Sequence, residues 1–276
     1  MKKLRLDRVS CHVTAQCNLR CNKCSAYIPE LECLSSPRIK YTLAEMKESF
    51  SAYFDMVEYV RMISLSGGEP FLFAELPELI EFLLEYDDCF GKLEIFTNGT
   101  MVPSARLLDV CKKSSKIAFM VDHYGPEVSI KVNEIEELFK KNEVSYQIRI
   151  YYGENTHCGG WHDYGIVPSQ KVSEEETAFR YHKCYSGING NMLCTIFGTR
   201  LFLCPLSEVG HRIGAIPLED TLFMELNSNS TIEEKIEELE NLNAAKINPA
   251  CAYCRGIGVY ENEPRYAPGV QLKNRS

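Results

Sequence analysis

The sequence contains no stretch of about 18 uninterrupted apolar residues, so no segment has the length and composition of a membrane-spanning helix. Its opening, Met1-Lys2-Lys3-Leu4-Arg5-Leu6-Asp7-Arg8, has no apolar run of the kind that marks a secretory signal, and a cytosolic protein is expected. Positive charge is scarce. The 30 Lys and Arg stand against 38 Asp and Glu, a net charge of -8, which argues against non-specific binding to nucleic acid or to an anionic membrane surface. That balance still allows a local Arg or Lys to hold a phosphorylated substrate. Arg149, Arg180, Lys183, Arg200 and Arg212 could do so, but such residues are more often solvated surface charges. Cysteine is plentiful but does not divide into pairs: there are 13, an odd number without an export signal, which points to metal ligation in a reducing compartment instead of a disulfide framework. The 276 residues, 45% hydrophobic and 25% charged, suffice for one large core or one core with a small appendage.

The residues that carry chemistry begin with Cys17-Asn18-Leu19-Arg20-Cys21-Asn22-Lys23-Cys24. Three thiolates at C-x3-C-x2-C spacing can hold three irons of a cubane cluster and leave the fourth open to a small molecule. Zinc is the rival, but a structural zinc wants a fourth protein ligand, and the nearby Cys11, His12 and Cys33 are not at a recognised zinc spacing. Gly67-Gly68-Glu69-Pro70 follows further along. Glycines 67 and 68 would let the backbone approach a ligand closely, and Glu69 could accept a hydrogen bond from a ligand amine; the plainer reading is a turn after a strand.

Together these segments resemble the cluster loop and the second signature of the radical S-adenosylmethionine (SAM) superfamily. The resemblance implies a 4Fe-4S cluster on Cys17, Cys21 and Cys24, with SAM chelating the open iron through its amine and carboxylate. One-electron reduction then yields a 5'-deoxyadenosyl radical that abstracts hydrogen from substrate. An electron donor such as flavodoxin or ferredoxin is implied as partner. The pattern departs at Lys23, where many members carry an aromatic residue or His near the adenine.

Strand-length apolar runs near Asp7-Val13, Met62-Ser66, Lys92-Thr97, Ile117-Val121 and Tyr146-Tyr151 alternate with helix-period segments, which predicts an α/β fold with a parallel sheet and crossover helices. Thr42-x-x-Glu45 reads as a capping box opening a helix toward Tyr59, and Pro77 as a first-turn residue. Further helices are expected near Ala105-Lys113 and Val132-Asn142. Right-handed crossovers would curl these units into a partial (β/α)6-type barrel with its site at the carboxyl ends of the strands. That rim gathers the cysteine loop, Gly67-Gly68-Glu69, Asn98 and Asp122; Asn98 and Asp122 would each either touch SAM or cap the following helix. Three regions are expected: a core barrel over 1-152, a connecting loop and substrate wall over 153-183, and a small α+β domain over 184-276. The connection, with Gly153, Gly159, Gly160, Gly165 and Pro168, includes His157-Cys158-Gly159-Gly160-Trp161-His162-Asp163-Tyr164, which is either a substrate wall or a surface loop.

A second cysteine group, Cys184, Cys194, Cys204, Cys251 and Cys254, flanks an expected hairpin, Met192-Ile196 and Leu201-Cys204. Across it Cys194 and Cys204 would lie nearly opposite and reach one metal centre, with a helix over Glu233-Asn241, opened by a Thr231-x-x-Glu234 box, returning the distal pair. The segment is similar to the twitch domains of radical SAM enzymes, shortened SPASM domains. The likeness implies a second, auxiliary 4Fe-4S cluster, with Cys184, Cys204 and Cys254 as ligands and Cys194 and Cys251 competing for the last place. Structural zinc is the alternative. Cys11, Cys33, Cys89 and Cys111 read as small buried residues, while Cys158 could return a hydrogen atom to a substrate radical. The reading that results is a dehydrogenase or epimerase acting on a sugar, nucleotide or aminoglycoside-like small molecule. Its alternatives are a peptide maturase, a glycyl-radical activase, or a non-catalytic iron-sulfur or zinc module.

Overall fold

The computed structural model describes residues 3-34, 42-154, 156-166, 171-186 and 193-273. All five expected strands form: β1 (Leu4–Thr14), β2 (Val57–Gly67), β3 (Phe90–Thr97), β4 (Ile117–His123) and β5 (Ser145–Ile150). Consecutive strands of these five pair in parallel, β1 with β2 through β4 with β5. The first two are longer than expected because Leu4, Arg5 and Leu6 pair with Val57, Tyr59 and Val60, residues that suit a pleated surface. The helix expected to reach Tyr59 therefore stops earlier.

The helices are α1 (Ile28–Leu31), α2 (Leu43–Met56), α3 (Leu76–Leu84), α4 (Ala105–Cys111), α5 (Val132–Lys141), α6 (Glu174–Lys183), α7 (Pro205–Arg212) and α8 (Ile232–Asn243). Both capping boxes are complete, Thr42 with Glu45 on α2 and Thr231 with Glu234 on α8. Ser104 opens α4 and Ser173 opens α6, each hydroxyl accepting from the backbone N–H three residues on. Among the described residues no helix is long and apolar enough to cross a membrane.

Along the parallel strands, alternate residues face opposite ways. Val9, Ile63, Leu93 and Phe119 are fully buried in a large core with Phe50 and Tyr53 of α2, Leu79 of α3 and Phe139 of α5. The other face presents Arg8, Ser10, His12, Ser64, Ser66, Asp122 and Arg149 to a chamber. This mixed α/β sheet, helices on one face and a polar chamber on the other, is the expected partial barrel.

The second half departs from expectation. β6 (Leu193–Phe197) runs parallel to β1 and completes six parallel strands, in the order β5-β4-β3-β2-β1-β6. β7 (Arg200–Phe202) and β8 (Phe223–Glu225) add antiparallel to that edge, so one eight-stranded sheet runs through both halves of the chain. Of the expected hairpin, Met192 lies outside the described residues, as does Pro168 of the connection. The hairpin register pairs Thr195 with Phe202 and Phe197 with Arg200. Cys204 thus lies past β7, as the residue that precedes α7, and does not face Cys194. A second, smaller core joins Tyr27, Ile166, Leu206, Val209, Ile216 and Tyr253 beneath α7.

Candidate active site

β1 ends at Thr14 and delivers the cysteine loop to the mouth of the chamber, where Cys17, Cys21 and Cys24 line one wall together with Gly67 and Gly68. The packing of two backbone segments by itself requires glycine at both positions. The N–H of Gly68 donates to the Thr14 carbonyl and that of Glu69 to the Gln16 carbonyl, both at 2.8 Å, so the two backbones lie against each other. A Cβ on Gly68 would stand 2.0 Å from the Gln16 oxygen, and one on Gly67 2.3 Å from that of Thr14. Gly67 also has φ +134°, a conformation that side chains disfavour.

Hydrogen-bond donors converge on the three sulfurs. Leu19 N–H lies 3.4 Å from Cys17 Sγ, with Asn98 Nδ2 at 3.7 Å, and Gln271 Nε2 lies 3.2 Å from Cys21 Sγ. Backbone N–H groups of Ile28 and Ala26 face Cys24. Burial nevertheless pushes the thiols up, Cys17 to about 11 and Cys21 to about 12, so a bound cation is what would draw off their protons. Three chamber-lining sulfurs with amide donors beside them fit a cubane cluster, whose thiolates accept such bonds.

Glu69 is fully buried and does not line the chamber. Its Oε1 accepts from Phe71 N–H and the Thr97 hydroxyl, and its Oε2 from Asn98 N–H at 2.8 Å, which clamps the turn after β2 to the end of β3. Burial raises its carboxyl to about 7, against the pull of those three donors. The structure therefore gives Glu69 an internal role where an amine contact was expected. Asn98 and Asp122 both line the chamber, and neither caps a helix. Asn98 bonds Asn18 and the Thr100 N–H, which ties the cysteine loop to β3. Asp122 Oδ1 accepts from Arg149 Nε at 2.6 Å and Nη2 at 2.5 Å. Burial raises the Asp122 carboxyl despite this partner.

Arg149, expected at the surface on charge alone, has only 19% of its side chain exposed. The signal that could have placed it is strand alternation: it shares a face of β5 with Gln147 and aligns with Asp122 across β4. Two further residues expected as surface cations are also internal. Arg212 of α7 is buried against Glu208 and donates to His12 Nδ1 at 2.9 Å, and Arg180 holds the Cys254 carbonyl. Burial and the Arg212 charge lower His12 to about 3, so it faces the chamber neutral.

Trp161 and Tyr164 of the connecting segment line the chamber, and Lys23 bonds Asp163 at 2.6 Å, which holds this segment to the cysteine loop. Cys158 does not line it. The residue sits on an exposed turn, His157–Gly159, with φ 54°. The chamber measures about 470 Å³. Of the cysteines read as buried, Cys11 and Cys111 are, Cys89 is half-buried, and Cys33 is exposed with its Sγ donating to the Pro29 carbonyl.

Cys184, Cys204 and Cys251 line a separate cavity of about 520 Å³, and the charges of Cys184, Cys204 and Cys254 each bear on Cys251. Gly256 and Ile257 N–H groups each donate to a sulfur at 3.3 Å, of Cys254 and Cys184 respectively. Gly256 has φ +75°, and a Cβ there would press on Cys184 Sγ at 3.2 Å. Burial pushes the Cys204 thiol to about 11 and raises Cys251 and Cys254 further. Cys194 is not in this group; it is 1% exposed on β6, opposite Val9, within the main core. Its thiol is raised by burial and by the charge of Cys204, but it does not line the cavity. Pro205, next to Cys204, lines the chamber, so the two sites adjoin.

With this geometry in place, the class is clear: the chain belongs to the radical SAM superfamily, whose profile matches residues 11–154. A curated relative, GTP 3',8-cyclase from Acidothermus cellulolyticus, is 36% identical over 104 residues, 37% of this chain and 27% of that protein. The match therefore spans about a quarter of the relative's length. Among solved structures, a histidine-tagged anSMEcpe with bound AdoMet is similar with a TM-score of 0.55 at 15% identity, covering 97% of this chain and 93% of that one. BtrN in complex with AdoMet and 2-DOIA gives 0.48 at 16%, covering 96% and 99%. At such identity the first of these likenesses is one of fold.

Proposed function

We propose that this chain is a radical SAM dehydrogenase acting on a small polar molecule, with Cys17, Cys21 and Cys24 holding a catalytic 4Fe-4S cluster. The observation that carries this reading is the single chamber on which the three thiols, Gly67-Gly68, the Asp122–Arg149 pair and Trp161 converge. When bound, the cluster and SAM supply a 5'-deoxyadenosyl radical. The residues of the chain bind and orient. Asn98 fixes the cysteine loop, Asp122 offers a carboxylate held in place by Arg149, and neutral His12, its Nδ1 bonded by Arg212, lines the chamber. Trp161 and Tyr164 cover one side and limit access of water.

Cys184, Cys204, Cys251 and Cys254 are assigned an auxiliary 4Fe-4S cluster, which as a fully ligated centre supplies an electron acceptor beside the chamber. The backbone N–H groups that donate to the sulfurs of Cys254 and Cys184 suit a cubane, and structural zinc is the alternative. The place of Cys158 outside the chamber favours dehydrogenation over epimerisation. Sugars, aminoglycoside-like amines and nucleotides form the substrate panel, the last because of the identity shared with the GTP cyclase. The test is anaerobic turnover of SAM with that panel. Substrate-dependent 5'-deoxyadenosine, with a product two hydrogens lighter, supports the reading; turnover only with peptides favours a maturase.

A further inference from the structure

Among the described residues, residues 265-272 cross beside the cysteine loop from far along the sequence. Asn22 N–H donates to the Val270 carbonyl at 2.7 Å and Leu272 N–H to the Arg20 carbonyl at 2.8 Å, so an antiparallel bridge sets Gln271 beside Cys21. The orientation of the Gln271 carboxamide is fixed chemically. Its Oε1 accepts from Arg20 N–H at 2.8 Å, and its Nε2 donates to the Gly269 carbonyl at 2.7 Å and to Cys21 Sγ at 3.2 Å. A flipped amide would set donor against donor at Arg20 and acceptor against acceptor at Gly269. The N–H therefore has to face the sulfur.

We infer that Gln271 is a positioning residue for the catalytic cluster: it anchors the middle cysteine and raises the cluster's reduction potential through its bond to Cys21 Sγ. The inference rests on the ligand assignment proposed above. A donor on a thiolate offsets part of the negative charge that grows when the cluster gains an electron, so the reduced state gains more from the bond than the oxidised state. Cys21 is 7% exposed, which leaves little solvent to screen the effect. Cys17 and Cys24 receive their donors from nearby backbone or from Asn98; Cys21 receives its side-chain donor from 250 residues away.

The test is potentiometric titration of the anaerobically reconstituted full chain, following the EPR signal that changes shape when SAM is added. Gln271→Met keeps length and removes the donor. Its reduction equilibrium is expected to fall by about tenfold, or about 59 mV for a one-electron couple, with the auxiliary signal unmoved. Gln271→Glu keeps an acceptor for Arg20 and turns a carboxylate oxygen on the sulfur, so its fall is larger. Wild-type midpoints in both variants at full iron content overturn the inference and leave the ligand assignment standing. A wild type with no SAM-responsive signal overturns both. Should Gln271→Met lose the cluster, protein labelled with side-chain 15N-glutamine in a Gln16→Ala background decides: a nitrogen coupling to the reduced cluster supports the bond, and none overturns it.

Discussion

Replacing Gly68 with Ala separates two explanations of the Gly-Gly signature. The added Cβ would sit 2.0 Å from the Gln16 oxygen and 2.5 Å from its carbonyl carbon, where real contacts keep beyond 3.0 Å. Backbone must therefore retreat by about 1 Å, immediately before Cys17. Overpacking of this kind costs about 1–3 kcal/mol. The hydrogen bond from Glu69 N–H to the same oxygen is lost with it, a further cost of about 1 kcal/mol. At 2–4 °C per kcal/mol for a chain somewhat smaller than this, the iron-free variant should melt roughly 5–15 °C below wild type. A misplacement of about 1 Å also costs on the order of a hundredfold in rate, so SAM cleavage by reconstituted protein should fall by that factor. Calorimetry of the iron-free proteins is the deciding assay. If Gly68→Ala melts with wild type and loses only SAM affinity, the glycine serves the ligand and the packing explanation fails.

Three more outcomes follow from the site. The raised carboxyl of Glu69, about 7 against an ordinary 4.5, makes its contribution to stability full below pH 4.5 and lost as pH rises through 7. The loss amounts to about 3 kcal/mol, and urea unfolding at pH 5 and pH 8 should show that slope in wild type and not in Glu69→Gln. Parallel profiles would refute it. Cys251→Ser should remove about four irons from reconstituted protein whereas Cys194→Ser should keep them all, the reverse pattern moving the auxiliary site onto β6. Asp122→Asn strands Arg149 in the chamber and should cost about 2–3 kcal/mol by chemical denaturation, partly recovered in Asp122→Asn with Arg149→Met. No recovery would mean that the pair is not the source of the loss.

Features encoded by neighbours in sequence were legible in it. The C-x3-C-x2-C spacing places three sulfurs on one loop, and the boxes at Thr42 and Thr231 close within three residues. Strands β1 to β5 carried enough apolar character to be read, with ends misjudged where pairing extended them. What escaped was set by contacts between distant segments. β6 joins β1 through partners such as Ser10 and Thr195, 185 residues apart, and a parallel pairing of that span leaves no local pattern. The same holds for Gln271 beside Cys21 and for Arg149, whose charge suggests surface but whose partner Asp122 lies opposite on another strand. Cys194 looked like a ligand by spacing, and only the pleat of β6 shows it turned into the core. Gly67 and Gly68 stand out in the sequence as suited to close approach, but the backbone they accommodate belongs to the loop after another strand.

The central claim is that Cys17, Cys21 and Cys24 hold a catalytic cluster beside a separately ligated second one. Iron and sulfide content of anaerobically reconstituted wild type and of the Cys17→Ala, Cys21→Ala, Cys24→Ala variant tests it most directly, read together with reductive cleavage of SAM. About eight irons falling to about four, with SAM cleavage abolished, is the expected result. A triple variant that keeps its full iron and still cleaves SAM would contradict it.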